Sequence, residues 1–114
     1  MDAKARDLQR RIRKIKKDLV ALGDLRPGSL SEQYNVCGKP GCRCKADPPQ
    51  KHGPYYQLGW TRKRKSTTRF VRRPNLQDVL KQLKNYERLQ SLVDQWIDLS
   101  VQLCELNLKR GKQK

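Results

Sequence analysis

The stretch Tyr55–Val71, YYQLGWTRKRKSTTRFV, decides the fold. Its flanks, Tyr55–Trp60 and Ser66–Val71, are rich in the aromatic and β-branched residues that suit a pleated, half-buried surface. The turn between them, TRKRK, carries four consecutive cations, so the segment reads as a β-hairpin with a charged tip. The period of two puts Tyr56, Leu58 and Trp60 on one face, toward a core against the helix that follows, and leaves Tyr55 and Gln57 facing outward. Upstream, Leu30, Tyr34 and Val36 supply a third strand.

Helical periodicity brackets this middle segment. Leu8, Ile12, Ile15, Leu19 and Leu22 recur at intervals of three and four, drawing one apolar stripe on a helix over about residues 2–22 that Gly23 and Pro27 stop. After Pro74, with Asn75 as an N-cap, a broader stripe of Leu76, Val79, Leu80, Leu83, Tyr86, Leu89, Val93, Trp96, Ile97, Leu103 and Leu106 runs to about Lys109 without Gly or Pro. A helix of that span is on the order of 50 Å long, more than a small sheet can cover. Its apolar face therefore needs either the first helix, folded back as an antiparallel coiled coil, or a second copy of the chain. Cys104, beside Leu103, is expected to be a core thiol of this helix.

The expected architecture is α+β: a basic amphipathic helix at residues 1–25, a cysteine-rich loop with a small antiparallel hairpin or three-stranded sheet at 26–74, a long amphipathic helix at 75–109 and a basic tail at 110–114.

Charge bounds the function. The 114 residues hold 27 Lys and Arg against 11 Asp and Glu, a formal net charge of +16, with 35% hydrophobic residues. Such a chain repels itself unless a polyanion offsets the charge, which points to DNA or RNA ahead of an anionic membrane surface. Residues 76–108 are net −2, so the long helix is the protein-facing element, suited to a homodimer or a larger protein partner. The nucleic-acid surface is instead assigned to Arg62, Lys63, Arg64, Lys65, Arg69, Arg72 and Arg73 on the hairpin and its exit. Lys39, Arg43 and Lys45 in the cysteine loop and Arg10, Arg11, Lys14 and Lys17 on the first helix extend it. No apolar run approaches the roughly 18 residues of a membrane span, and the N-terminus lacks a secretory h-region, so the expected location is the cytoplasm, without membrane association.

In that compartment clustered cysteines read as metal ligands before disulfides. Cys37, Cys42, Cys44 and His52 follow a C-x4-C-x-C-x7-H spacing in a loop studded with Gly and Pro, and a Cys3His set satisfies tetrahedral zinc. The Lys and Arg between the ligands offset the excess negative charge of three thiolates. The competing reading makes the cysteines small packing groups and His52 a cap on the following strand. As a staple, the metal would tie the start of the sheet to its hairpin and fix the neighbouring TRKRK turn. Catalysis finds no support in a single histidine and unclustered carboxylates, so a non-enzymatic role is expected.

Three resemblances accompany these readings. RPGSLSEQYNVCGKPGCRC followed by HGPYYQLGW and TTRFV resembles, over about residues 26–108, a family of small uncharacterised bacterial and archaeal proteins with the pattern RGSL…CGKPGCRC…HGPYYYLSW…TRYV and a trailing helix. It implies one fold unit and no function; a link to mobile elements is suspected beside it. Strand, basic turn, strand and helix over about residues 54–90 are similar to integrase arm-binding and AP2-like domains, which implies Arg62, Arg64 and Arg69 as groove or phosphate contacts and Lys63 and Lys65 as backbone contacts. The cysteine spacing resembles half of the CXC repeat of tesmin-like DNA-binding proteins, whose full module has more cysteines than this chain. Together they describe a non-catalytic nucleic-acid-binding protein with a structural zinc knuckle, an accessory of a mobile element or a ribonucleoprotein. The alternative is a protein–protein adaptor or dimerisation module built on the long helix.

Overall fold

A computed structural model describes residues 3–47 and 50–110. The element order is α1 (Ala3–Val20), β1 (Ser29–Asn35), a 3-10 turn at Arg43–Lys45, β2 (His52–Arg62), β3 (Lys65–Val71), a second 3-10 turn at Arg73–Asn75 and α2 (Leu76–Lys109). This is the expected α+β fold, with the third strand present. Of the basic tail, residues 111–114 lie outside the described residues. Asn75 directly precedes α2, as the last residue of a 3-10 turn that also holds Pro74.

The chain forms two compact units, one of α1 with α2 from Asn85 onward, the other of Arg26–Lys84. In the helical unit Leu8, Ile12 and Ile15 of α1 form a buried cluster with Leu92 and Leu99 of α2, and Leu19, Leu22, Trp96, Leu103 and Leu106 pack around it. The helices run antiparallel. Near the end of α1 Asp18 meets Arg88 at 3.8 Å, while Lys4 near its start lines a cavity with Gln102, Leu106 and Lys109. Lys16 lies over the Trp96 ring, 5.2 Å from its centroid, so the charged face of α1 also contributes to the pairing.

The side of α2 that faces α1 differs from the expected stripe. Leu92 and Leu99 are buried, whereas Val93 and Ile97, 37% and 54% exposed, face outward. Cys104 is exposed and not a core thiol, because Leu99, Leu103 and Leu106 take the positions toward α1. A helix with apolar residues over so wide an arc offers several stripes at spacings of three and four, and its partner selects one.

In the second unit the strands form an antiparallel sheet in the order β1-β2-β3. Leu58 is fully buried in the central strand, and Tyr56 and Trp60 on the same face are half-buried, as the alternation predicts. Arg26 stacks its guanidinium 4.8 Å from the Trp60 ring centroid, and Val79 in the first turn of α2 is buried as well. The opposite face is built differently. Register places Ser29, Ser31, Gln33, Tyr55, Gln57, Gly59, Thr61, Ser66, Thr68 and Phe70 on it, and none of them is charged. Gln33 Nε2 donates to Gln57 Oε1 at 2.7 Å, and the Thr61 and Ser66 hydroxyls are 2.9 Å apart.

The β2–β3 turn is shorter than the sequence implies. Thr61, Arg62 and Lys65 are drawn into the ladder, with Arg62 opposite Lys65, and only Lys63 and Arg64 form the tip. Both adopt positive φ, 51° and 67°, the pattern of a two-residue turn whose twist matches that of the strands. Left-handed backbone costs a non-glycine residue roughly 1–2 kcal/mol.

At the other end of β2, Gly53 has φ 141°, and a Cβ there would lie 2.7 Å from the Gln33 carbonyl oxygen and 2.8 Å from the Tyr34 ring. Only glycine permits this approach, beside the irregularity between Gln33 and Asn35 that lets Asn35 pair with His52. Gly53→Ala is therefore expected to lower stability by more than about 1 kcal/mol in chemical denaturation. Stability equal to the parent would show that β1 yields at no cost.

Candidate functional site

Pairing of Asn35 with His52 brings both ends of the cysteine loop together. Cys37 follows β1 by two residues, and His52 opens β2. Between them Gly41, at φ 77°, turns the chain so that Cys42 precedes the 3-10 turn and Cys44 sits inside it. The Lys45 and Ala46 N–H groups donate to the Cys42 and Arg43 carbonyls, and the Gln50 N–H returns to the Arg43 carbonyl at 2.9 Å. With few apolar side chains available, the loop is shaped by these bonds.

The result is that the three thiols and the imidazole converge, all ligand atoms lying within 4.8 Å of one another. Cys37 Sγ is 3.6 Å from Cys44 Sγ, and Cys42 Sγ is 3.2 Å from His52 Nε2. Metal–sulfur bonds of about 2.3 Å in tetrahedral geometry set sulfur atoms about 3.8 Å apart, so this arrangement is compatible with zinc. Cys44 is buried, and the Cys37 N–H donates to its sulfur at 3.3 Å. Cys42 and Cys44, one residue apart, both join the cluster, Cys42 from the position before the 3-10 turn and Cys44 from within it.

The thiols influence one another. The Cys44 N–H, then hydrogen bonds with the Cys37 and Cys44 side chains and with His52, bring Cys42 down from its ordinary value to about 6. Burial pushes Cys44 the other way, upward. The protein alone thus favours one thiolate in the cluster and disfavours another. A divalent cation is the chemistry that lets all three ionise together. Lys39, Arg43 and Lys45 are exposed on the same loop, where they offset the single negative charge that a divalent ion leaves on three thiolates.

The cationic candidates fall into separate groups. Arg62, Lys65 and Arg69 share the Leu58 face of the sheet, all three exposed, and Lys63 and Arg64 form the hairpin tip. Arg72 and Arg73 follow β3 at the opposite end of the sheet, beside Pro54 and Tyr55. The cysteine site therefore does not neighbour the TRKRK turn. Ten residues of β2 separate them, roughly 33 Å of strand, because both occupy ends of one extended element.

Arg10, Arg11, Lys14 and Lys17 belong to the helical unit, and three of them already have partners. Arg10 and Arg11 pair with Asp7, and Lys14 lies 3.8 Å from Asp18. By contrast, Arg26–Lys84 contains 14 Lys and Arg against three Asp and Glu, and among the described residues none of those cations makes a salt bridge. Tyr34 and Tyr55 are both exposed, Tyr34 with its ring against Gly53. Sequence reading overlooked Phe70, 68% exposed and opposite Gln57 on the uncharged face. The alternation from Tyr55 outward, carried across the hairpin, was the signal that could have found it.

Among the described residues no helix is long and apolar enough to cross a membrane. Comparison with known proteins found no match among curated proteins and none among solved structures. A family match covers residues 5–82, from α1 through the cysteine loop and sheet into α2, and the chain accordingly belongs to the family described as a domain of unknown function, DUF6788.

Proposed function

We propose that this chain is a non-catalytic nucleic-acid-binding protein whose sheet is held by a structural zinc ion on Cys37, Cys42, Cys44 and His52. The observation that carries the reading is the concentration of unneutralised positive charge on the zinc-compatible unit, +11 over residues 26–84. Like charges stand directly opposite at Arg62 and Lys65, and two more cations occupy a strained tip. Each feature is unfavourable in the isolated chain. Phosphates relieve the repulsion among these cations, with release of counterions.

Four protein ligands fill tetrahedral zinc, so the ion supplies folding free energy and leaves no position for a substrate water. Purified protein is expected to carry about one zinc per chain. Cobalt in its place should give thiolate charge-transfer absorption, and Cys44→Ser should lose that band and the thermal stability that metal confers. Absence of the band in the parent chain would return the cysteines to packing groups.

Binding to a labelled oligonucleotide should weaken steeply with salt. Replacing Arg62, Lys63, Arg64 and Lys65 together by Ala is expected to flatten the log–log salt slope by about one unit per lost phosphate contact. The turn separates charge from fold more cleanly. Lys63→Asn with Arg64→Gly supplies the residues that the turn geometry prefers, so it should raise stability by about 1 kcal/mol or more while weakening binding. Unchanged affinity in that variant would remove the hairpin tip from the interface.

A second reading rests on α2. Val93, Ile97, Val101 and Leu108 are exposed, and Trp96, Ile97, Ser100, Val101 and Cys104 line a cavity of about 480 Å3 beside Glu105. Asp94, Asp98 and Glu105 complement the cationic face of α1, so a second copy of the chain fits this surface. Ile97→Glu with Val101→Glu should shift a dimer to monomer in sedimentation velocity; a parent chain that is monomeric at micromolar concentration would contradict this reading.

A further inference from the structure

The uncharged face of the sheet is unexpected in a unit of net charge +11. Ten strand residues share it: three serines, two threonines, two glutamines, one glycine and two aromatics, Tyr55 and Phe70. A face meant only for solubility would carry some of the chain's abundant lysine and arginine. A face meant for a protein core would be apolar. This one presents short polar groups around two exposed rings, 42% and 68% accessible.

The two rings act at one place. Gln57 stands opposite Phe70 and Tyr56 opposite Val71, so Tyr55 and Phe70 are diagonal neighbours on adjacent strands, within reach of a common ligand. They line a cavity of about 280 Å3 together with Pro54, Tyr56, Val71, Arg72 and Arg73. That volume is close to the lower bound for small-ligand sites, about 300 Å3, which suits a single planar group. Two guanidinium side chains stand at its edge, exposed and, among the described residues, without a salt bridge.

From this juxtaposition we infer that the Tyr55–Phe70 cavity takes an unpaired base of a single-stranded nucleic acid, stacked on the aromatic rings with its phosphates on Arg72 and Arg73. The inference rests on the nucleic-acid reading above and narrows it. Aromatic rings stack on any base, because every base has a π-face, and adjacent cations follow the backbone. A paired base cannot enter, since its faces are already covered by its neighbours in the duplex. The polar groups of Ser31, Gln33, Gln57 and Thr68 lie along the same face, where a strand leaving the cavity finds donors and acceptors. A wholly apolar protein segment would leave Arg72 and Arg73 at the cavity edge without an anion, and an acidic peptide would have no use for the two rings.

The test uses the full chain and labelled 12-nucleotide probes of single-stranded RNA, single-stranded DNA and duplex DNA, read by anisotropy across a salt series. Phe70→Ala with Tyr55→Ala should weaken single-strand binding roughly ten-fold or more and leave the salt slope and duplex affinity unchanged. Phe70→Trp should retain single-strand binding, because stacking needs a ring and not this ring. Arg72→Ala with Arg73→Ala should lower affinity and flatten the salt slope by up to about two units. The RNA and DNA arms identify which strand is preferred. Single-strand affinity unchanged in the double aromatic variant would overturn the base-stacking site while leaving salt-dependent binding, and so the broader reading, intact. Equal losses for duplex and single strand would also overturn it. A parent chain that binds none of the probes at low salt would overturn both. Since both rings are exposed, unaltered circular dichroism is expected in every variant and distinguishes lost stacking from lost fold.

Discussion

Pairing of Asn35 with His52 across β1 and β2 closes a loop of 16 residues that contains too little apolar material to fold by itself. That pairing depends on a carbonyl of β1 approaching Gly53 more closely than any side chain would allow. Strand register thus delivers Cys37 and His52 to one point, and the short 3-10 turn adds Cys42 and Cys44. Everything distinctive in the unit is arranged around β2: a ligand set at its start, a charged turn at its end, and two contrasting faces along its length.

Electrostatics explains what packing does not. The helical unit neutralises part of its charge through short-range pairs between Asp7 or Asp18 and neighbouring Arg and Lys, each worth little at an exposed site. The sheet unit makes no such pairs among the described residues. Its hairpin even places lysine and arginine at positive φ, where Asn-Gly would relieve strain and charge together. Backbone and Coulomb energies both oppose cations at this tip, which is the reason it figures in the proposed anion-binding surface.

Much of this was legible in the sequence, for identifiable reasons. The hairpin, the third strand and both helices follow from periods of two and of three to four, and the four metal-ligating candidates from residue type and spacing. The α1 stripe was also readable, because its apolar residues lie in one narrow line on an otherwise charged helix. On α2 the same method picked Val93 and Ile97 over Leu92 and Leu99, since its apolar arc is broad enough for several stripes and only the partner helix decides. The exposed Cys104 follows from the same ambiguity. TRKRK reads as a five-residue turn because none of its residues signals a left-handed tip. Placement of that turn far from the cysteine site, and pairing of Phe70 with Tyr55 around one cavity, required the register of the whole sheet.

Metal and nucleic acid are joined in this account by one strand, so removing the first should release the second. The most direct measurement is oligonucleotide binding by the full chain during stepwise chelation, with bound zinc quantified at each step. The account predicts that affinity falls in proportion to zinc and returns when zinc is restored. Metal-free protein that binds with full affinity would contradict it.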